Sequence, residues 1–436
     1  MPQKPFKRNY RLVQHTPMIH FQHDQKGATL RASDVKPKID RYIWEHLTAR
    51  HAEWAEAYQP FLSEKYFSKA GSQKKSSSGY KIHITAIPQA HYIPTAYIKN
   101  QDKGPVIRQV EDMFGLSRIE VIGNTPYFAN VEKISKEIWG EIRLAVSYKN
   151  VALSVFSPEP KVTELIGKVL PYVLANHGFG TRSSKGFGTF LVPGTERQVL
   201  QRLTPYRFSV RVNENNETLA YERLFQRIDM LYKSLRSGIN QSFRRDGLYF
   251  KSLIFKYFYE RGIQWDKKSI KQHFYSRDLN NQQTKHGGGD ASPLHFSSTQ
   301  KYLVRDLLGL ATHQDWLKPY GDRITKKSSP NDKAIERFAS PIWFRPVRRP
   351  DRKFFDVYVG CTRVPPGMRN QTFELTNQNR TNGPLSLSTP PAFDVEDFLR
   401  FAFEEVELEE HVEGRFQNDR DYEDLSSMYQ DIRNNL

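Results

Sequence analysis

The apolar positions of this chain change period several times, and each change marks an element. From Pro160 to Asn176 the residues Val162, Leu165, Ile166, Val169, Leu170, Val173 and Leu174 recur at helical spacing, which predicts an amphipathic helix. Upstream, Ile39, Ile43, Trp44, Leu47 and Trp54 predict another. Ser33 or Asp34 would cap it, Pro37 would sit in its first turn, and it would run to about Tyr58. Alternation over 80–87 predicts a strand, as do 118–122, 138–148 and 151–157. Lys149-Asn150 reads as a hairpin turn between the last two. A further strand is expected over 188–193.

Beyond Pro193 the pattern turns helical. Leu224, Ile228, Leu231 and Leu235 place a helix over 217–240, and further helices are expected over 249–260 and 299–310. The polar stretch 265–295, with His286-Gly287-Gly288-Gly289, predicts a mobile loop. Strands return at 341–348 and 354–360, a polar stretch follows over 376–389, and a last helix spans 395–410. The fold class is α+β. Residues 1–195 read as β–α–β…β–β–α–β, compatible with a ferredoxin-like (RRM-like) domain. Residues 196–436 read as a helix-rich second domain, whose late strands permit a degenerate second ferredoxin-like unit.

Between the helix at 160–176 and the strand at 188–193 lies His177-Gly178-Phe179-Gly180-Thr181-Arg182-Ser183-Ser184-Lys185-Gly186-Phe187-Gly188. Two Gly-Phe-Gly brackets enclose a basic, hydroxyl-rich tip. Glycines permit positive φ, and successive exposed N–H groups can form an anion-binding concavity. Arginine adds bidentate donors suited to phosphate. The loop reads as a phosphate-backbone clamp, with a glycine-rich turn packed on the sheet as the structural alternative. It is no Rossmann fingerprint, because the third glycine comes six residues after the second, and no Walker loop, because Gly186 follows Lys185.

Helix, glycine loop and final strand, in that order, resemble the RAMP superfamily of CRISPR effector proteins. The likeness rests on Gly178-x-Gly180-x-Arg182-Ser183-x-Lys185-Gly186-x-Gly188, and on Thr16-Pro17-Met18 followed by Lys26-Gly27-Ala28-Thr29-Leu30-Arg31-Ala32-Ser33-Asp34-Val35-Lys36. It covers 8–195 best, and is closest to the first subunit of the type III-B (Cmr) complex. The resemblance implies a ferredoxin-like fold and a non-catalytic subunit that holds guide RNA, target RNA or both, capping the 3′ end of the guide. Its implied partners are CRISPR guide RNA, target RNA and other RAMP/Cas effector subunits. Some relatives process guide RNA with a histidine, so a guide-processing endoribonuclease is the alternative. His15, His20, His23 and His177 would then be its acid or base. Relatives that cut target RNA use a loop aspartate with a metal, for which Asp24 and Asp34 stand nearest.

Charge supports a polyanionic partner: the chain of 436 residues carries +17. From Asp394 onward there are fourteen acidic and four basic residues, a net of −10, so the rest carries +27. That acidic end reads as a solvated tail, or as a segment that docks on a basic surface. A single cysteine, Cys361, leaves no disulfide framework within the chain and no cysteine-based zinc site, and reads as a buried small hydrophobe. No apolar run reaches membrane-spanning length, and the N-terminus lacks a signal-peptide pattern, so a cytoplasmic protein without membrane contact is expected.

The RNA-binding candidates are Lys26, Thr29, Arg31 and Lys36 at the first helix, and Gly180, Arg182, Ser183, Lys185 and Gly186 in the loop. A helix N-terminus is a ready anion site. Arg244 and Arg245, between Phe243 and Tyr249-Phe250, interleave charge with aromatics, as single-strand binders do. Lys74-Lys75 and Arg348-Arg349 read as solvated charge. No cofactor and no metal is expected.

Overall fold

The computed structural model describes residues 6–20, 29–69, 79–95, 98, 103–116, 118–123, 144–241, 247–279, 301–316, 322–329, 332 and 334–436. The chain divides into two compact units, one of Met1–Asp229, Phe344–Gly360 and Asn435–Leu436, the other of Met230–Trp343 and Cys361–Asn434.

The first unit opens with β1 (Lys7–Gln14), β2 (Met18–Ile19), α1 (Ala32–Arg50), α2 (Ala52–Ala57), β3 (Lys81–Pro94), α3 (Lys103–Phe114) and β4 (Ile119–Ile122). It continues through β5 (Ala145–Phe156), α4 (Pro160–Asn176), β6 (Phe190–Leu191), α5 (Glu196–Leu203), β7 (Arg207–Arg211) and α6 (Glu217–Arg236). The sheet order is β4-β3-β5-β1-β6, with β2 on β5. Pairing is antiparallel for β3–β5, β5–β1 and β1–β6, and parallel for β3–β4.

Helix α4 forms where its pattern dictates. Pro160 takes the first turn with its fixed φ, and the Glu159 carboxylate accepts from the Lys161 N–H. Its stripe is buried on the sheet against β1, β5 and β6 and on α1. Each fully buried leucine or valine contributes about 1.5–3 kcal/mol. Helix α1 differs from expectation at both ends. It begins at Ala32 with Arg31 as N-cap and no side-chain cap, so Pro37 lies inside it and not in the first turn. It stops at His51, whose backbone leaves helical geometry before α2.

No hairpin turn exists at Lys149-Asn150. β5 is one strand, and Asn150 takes φ +53° inside it. There the register with β3 shifts between Thr85 and Ile87, so asparagine's tolerance of the left-handed region makes a bulge, not a turn. Residues 138–143 of the expected preceding strand lie outside the described residues.

The remaining elements are β8 (Ile239–Asn240), β9 (Tyr249–Phe250), α7 (Leu253–Tyr259), β10 (Gln264–Trp265), α8 (Asp266–Leu279), β11 (Lys301–Tyr302), β12 (His313–Trp316) and β13 (Asp322–Ser328). Then follow β14 (Ile342–Arg348), β15 (Phe354–Cys361), β16 (Thr372–Asn377), β17 (Leu385–Ser388), α9 (Val395–Arg400), α10 (Leu408–His411) and α11 (Arg420–Asn434). β14, β15 and β7 make a three-stranded sheet. In the second unit the order is β10-β11-β17-β16-β13-β12.

Several expectations for this half are corrected. The helix expected over 299–310 is a strand at Lys301–Tyr302 and one 3-10 turn at Arg305–Leu308, because parallel pairing with β10 and β17 overrides the local period. The polar stretch from 265 is helical to Leu279, and the rest of that expected loop lies outside the described residues. The stretch 376–389 contains the end of β16 and all of β17. Cys361 is only half-buried. The acidic end is no tail: Phe398, Leu399, Ala402, Phe403, Leu425 and Ile432 are buried, and Arg433 pairs with Glu407 at 2.9 Å. Among the described residues no helix is long and apolar enough to cross a membrane.

Candidate nucleic-acid interface

The two motifs that are far apart in sequence meet in space. The turn between β1 and β2 lies against the glycine loop. Thr181 N–H donates to Ile19 O at 2.9 Å, and Gly188 N–H donates to Pro17 O at 2.9 Å. The Thr16 hydroxyl donates to Gly186 O at 2.6 Å and accepts from Thr189 N–H at 3.1 Å.

The brackets hold the loop down. Phe179 and Phe187 are buried, Phe187 stacking on Phe225 with centroids 3.9 Å apart and Phe179 meeting Phe190 edge-on at 6.0 Å. Gly180 has φ +78°, and a Cβ there would lie 2.4 Å from Ile19 O. Gly188 has φ +63°, and a Cβ would lie 2.0 Å from Phe179 O. Both positions therefore need glycine for backbone angle and for space. Gly186 also has positive φ, at +88°.

What remains exposed is the tip. Arg182 is exposed and holds φ +61°, a left-handed conformation that costs a non-glycine residue about 1–2 kcal/mol. Lys185 N–H closes a turn on Arg182 O at 2.8 Å, with Ser183 and Ser184 half-exposed between them. Lys185 itself is a correction: it is 7% exposed, not a tip residue, because it makes a parallel bridge to Phe344.

Beneath the tip sits Arg345, buried, donating to Ala175 O at 3.0 Å, Asn176 O at 2.9 Å and Ser183 O at 3.0 Å. It thereby caps the last turn of α4 and ties it to the loop. Burial pushes its pKa down to about 9, which leaves it charged at neutral pH. Around the loop's first residue the field is positive. Burial first, then Lys38, Arg345, Arg41 and His46, hold His177 down to about 3. Lys38 lies 5.4 Å from the Phe179 ring centroid. Lys38 and Arg41 lie outside both motifs. Their signal was a charge stripe, Asp34, Lys38, Arg41 and Glu45, at helical spacing on α1.

The other candidates fall as follows. Arg31 caps α1, its carbonyl accepting from Asp34 N–H at 3.0 Å. Thr29 O accepts from His20 Nε2 at 3.0 Å. Lys36 turns inward, pairing with Asp40 at 2.9 Å and lying 4.3 Å from the Tyr80 centroid. Arg348 is no solvated charge, lying 4.7 Å from the Phe355 centroid, whereas Arg349 stays partly exposed while pairing with Asp356 at 2.6 Å. Lys26, His23, Asp24, Lys74, Lys75, Arg244 and Arg245 lie outside the described residues. His15 is buried, its Nδ1 accepts from Arg348 N–H at 3.0 Å, and burial holds its pKa down to about 4. Asp34 is exposed in the first turn of α1. Among the described residues no three His, Cys, Asp or Glu side chains group to hold a metal.

No curated protein matches the chain. One solved structure that does is the crystal structure of Cmr1 from Pyrococcus furiosus in its apo form, 10% identical over 91% of this chain and 95% of that one, with a TM-score of 0.34. The family models are decisive. The Cmr1 N-terminal domain matches residues 6–239, and the Cmr1 C-terminal domain matches residues 249–433. Together they span nearly the whole chain, which therefore belongs to the Cmr1 family and is a subunit of the Cmr complex of CRISPR defence.

Proposed function

We propose that this chain is a non-catalytic RNA-holding subunit of its CRISPR complex, gripping guide RNA, target RNA or both by phosphate contacts and capping the guide's 3′ end. The observation that carries the reading is Arg182. It stands exposed in a left-handed conformation at the tip of a loop that is otherwise pinned. A strained arginine on an anchored loop points to a ligand, and guanidinium suits phosphate. Lys38, Arg41 and Arg345 add positive charge around His177, at the start of the same loop. Base pairing between guide and target supplies sequence, so the protein reads backbone.

The strand order β3-β5-β1-β6, all antiparallel, supports a ferredoxin-like domain within 1–195. In that arrangement the glycine loop joins the second helix to the last strand, beside the first strand. The non-catalytic half of the reading is supported by His15, whose ring is buried and committed to Arg348.

The test is to incubate the full chain with single-stranded repeat RNA, with and without magnesium. Binding without a product is expected. A discrete product lost on substitution of His15, His20, His23 or His177 would put guide processing in its place, and a metal-dependent product lost at Asp24 or Asp34 would mean target cleavage.

A further inference from the structure

At one end of the first sheet, over residues 7–11, 81–85 and 152–156, the face that turns away from α1 and α4 is exposed among the described residues, and its side chains stand in register. Lys7 and Lys81 both pair with Phe156, one from each side. In the next row Asn9 and His83 flank Ser154, and in the third Arg11 and Thr85 flank Ala152. The intervening residues Leu153 and Val155 are fully buried, and Tyr10 lies against Gly167 of α4, so the rows face outward. Phe156 is 46% exposed, one of few large hydrophobics left so open among the described residues. Lys7, Lys81, Asn9, His83, Arg11, Thr85 and Ala152 are exposed too, and Ser154 donates its hydroxyl to Asn9 Oδ1 at 2.6 Å. No row contains a carboxylate.

From this placement we infer a second RNA contact, a stacking platform on the sheet for a single-stranded segment. It rests on the RNA-holding function proposed above and assigns that function a surface remote in sequence from the glycine loop. Adjacent strands lie about 4.8 Å apart, so Phe156 has an ammonium on either side. A base stacks on the exposed ring while the flanking lysines meet its neighbouring phosphates. Asn9, Ser154 and His83 offer polar groups to base edges one row on, and Arg11 ends the track with a third positive charge. A protein partner fits less well: a row of cations around one aromatic, with no carboxylate, is complementary to a polyanion.

The experiment uses the full chain and a fluorescein-labelled uridine decamer, read by anisotropy, with a blunt RNA duplex as control. Phe156→Ala should weaken decamer binding about tenfold, the scale of one lost stack, while Phe156→Tyr stays within about twofold. Lys7→Ala with Lys81→Ala should reduce the salt slope by about 1.4. Duplex binding should change little in the Phe156 variants. If wild type binds the decamer and Arg182→Ala weakens it while all face variants bind as wild type, the platform falls and the loop reading stands. If wild type binds no RNA, both fall together. Loss of a copurifying complex subunit from Phe156→Ala, with decamer affinity unchanged, would assign the face to a protein instead and overturn the proposal.

Discussion

The glycine loop and the open sheet face are both basic, but they are built in opposite ways. On the sheet, the backbone is committed to the ladder, so side chains alone can meet a ligand. In the loop, Phe179, Thr181, Lys185, Gly186 and Gly188 N–H groups are also committed inward, yet the turn at Ser183 and Ser184 faces out beside Arg182. One surface is regular and offers an aromatic between cations. The other is irregular, offers a guanidinium on a turn, and depends on glycines that allow close approach. In the proposed reading, the loop's guanidinium and turn would meet phosphate, and the sheet's ring between cations would meet bases. It also separates their failure modes: the loop breaks through its backbone, the face through single side chains.

The largest effect should come from Gly188→Ala. Its Cβ would lie 2.0 Å from a carbonyl oxygen in a left-handed residue, so unfolding free energy should fall by about 3 kcal/mol or more. Urea denaturation of the variant checks this. A change below about 1 kcal/mol would mean that the brackets do not pin the loop.

Acid should weaken the same region. His15 is held down to about 4 by burial, whereas an ordinary histidine titrates near 6.5. The unfolded chain therefore takes the proton first. Stability from this site is complete above about pH 6.5 and is lost as pH falls toward 4, by about 3 kcal/mol in all. Stability measured from pH 7 to pH 4 should show this loss together with that of His177, held down to about 3, and His15→Gln should remove only the His15 share of it.

Arg182→Ala should separate binding from folding. The residue is exposed, so stability should move by no more than ~0.5 kcal/mol, while a lost charge-assisted phosphate contact costs about 1.5–3 kcal/mol, tenfold or more in affinity. Arg182→Gly should weaken binding equally and stabilise the fold, because it removes a left-handed arginine. Melting temperature beside RNA affinity checks both.

Lys36→Ala should have the smallest effect. It removes an ion pair to Asp40, which still accepts from Tyr80 at 2.6 Å, so about 1 kcal/mol of stability is lost. RNA affinity should be unchanged, because this ammonium points into the protein. A tenfold loss would return α1's first turns to the binding surface.

The sequence was legible where one local rule ruled alone. α4 is legible to the residue because proline, stripe and loop agree, and the glycine brackets mark the loop, but which of them take positive φ (Gly180, Gly186 and Gly188, not Gly178) is set by what each packs against. It was illegible where tertiary contacts decide. Asn150 reads as a turn residue in isolation, and only its neighbours β1 and β3 make it a bulge. Lys185 reads as tip charge until Phe344, far along the chain, covers it. The run from Lys301 has helical spacing, yet it pairs with strands formed on both sides of it in sequence. Lys7, Phe156 and Lys81 carry no motif at all: their row exists only through the register.

In the proposed reading, this subunit holds RNA through the charge of the RNA phosphate backbone. The direct measurement is the affinity of the full chain for a single-stranded RNA across a salt series. With roughly five phosphates neutralised, log K should fall against log salt with a slope near −3 to −4. A flat response, or no binding at moderate salt, would contradict the account.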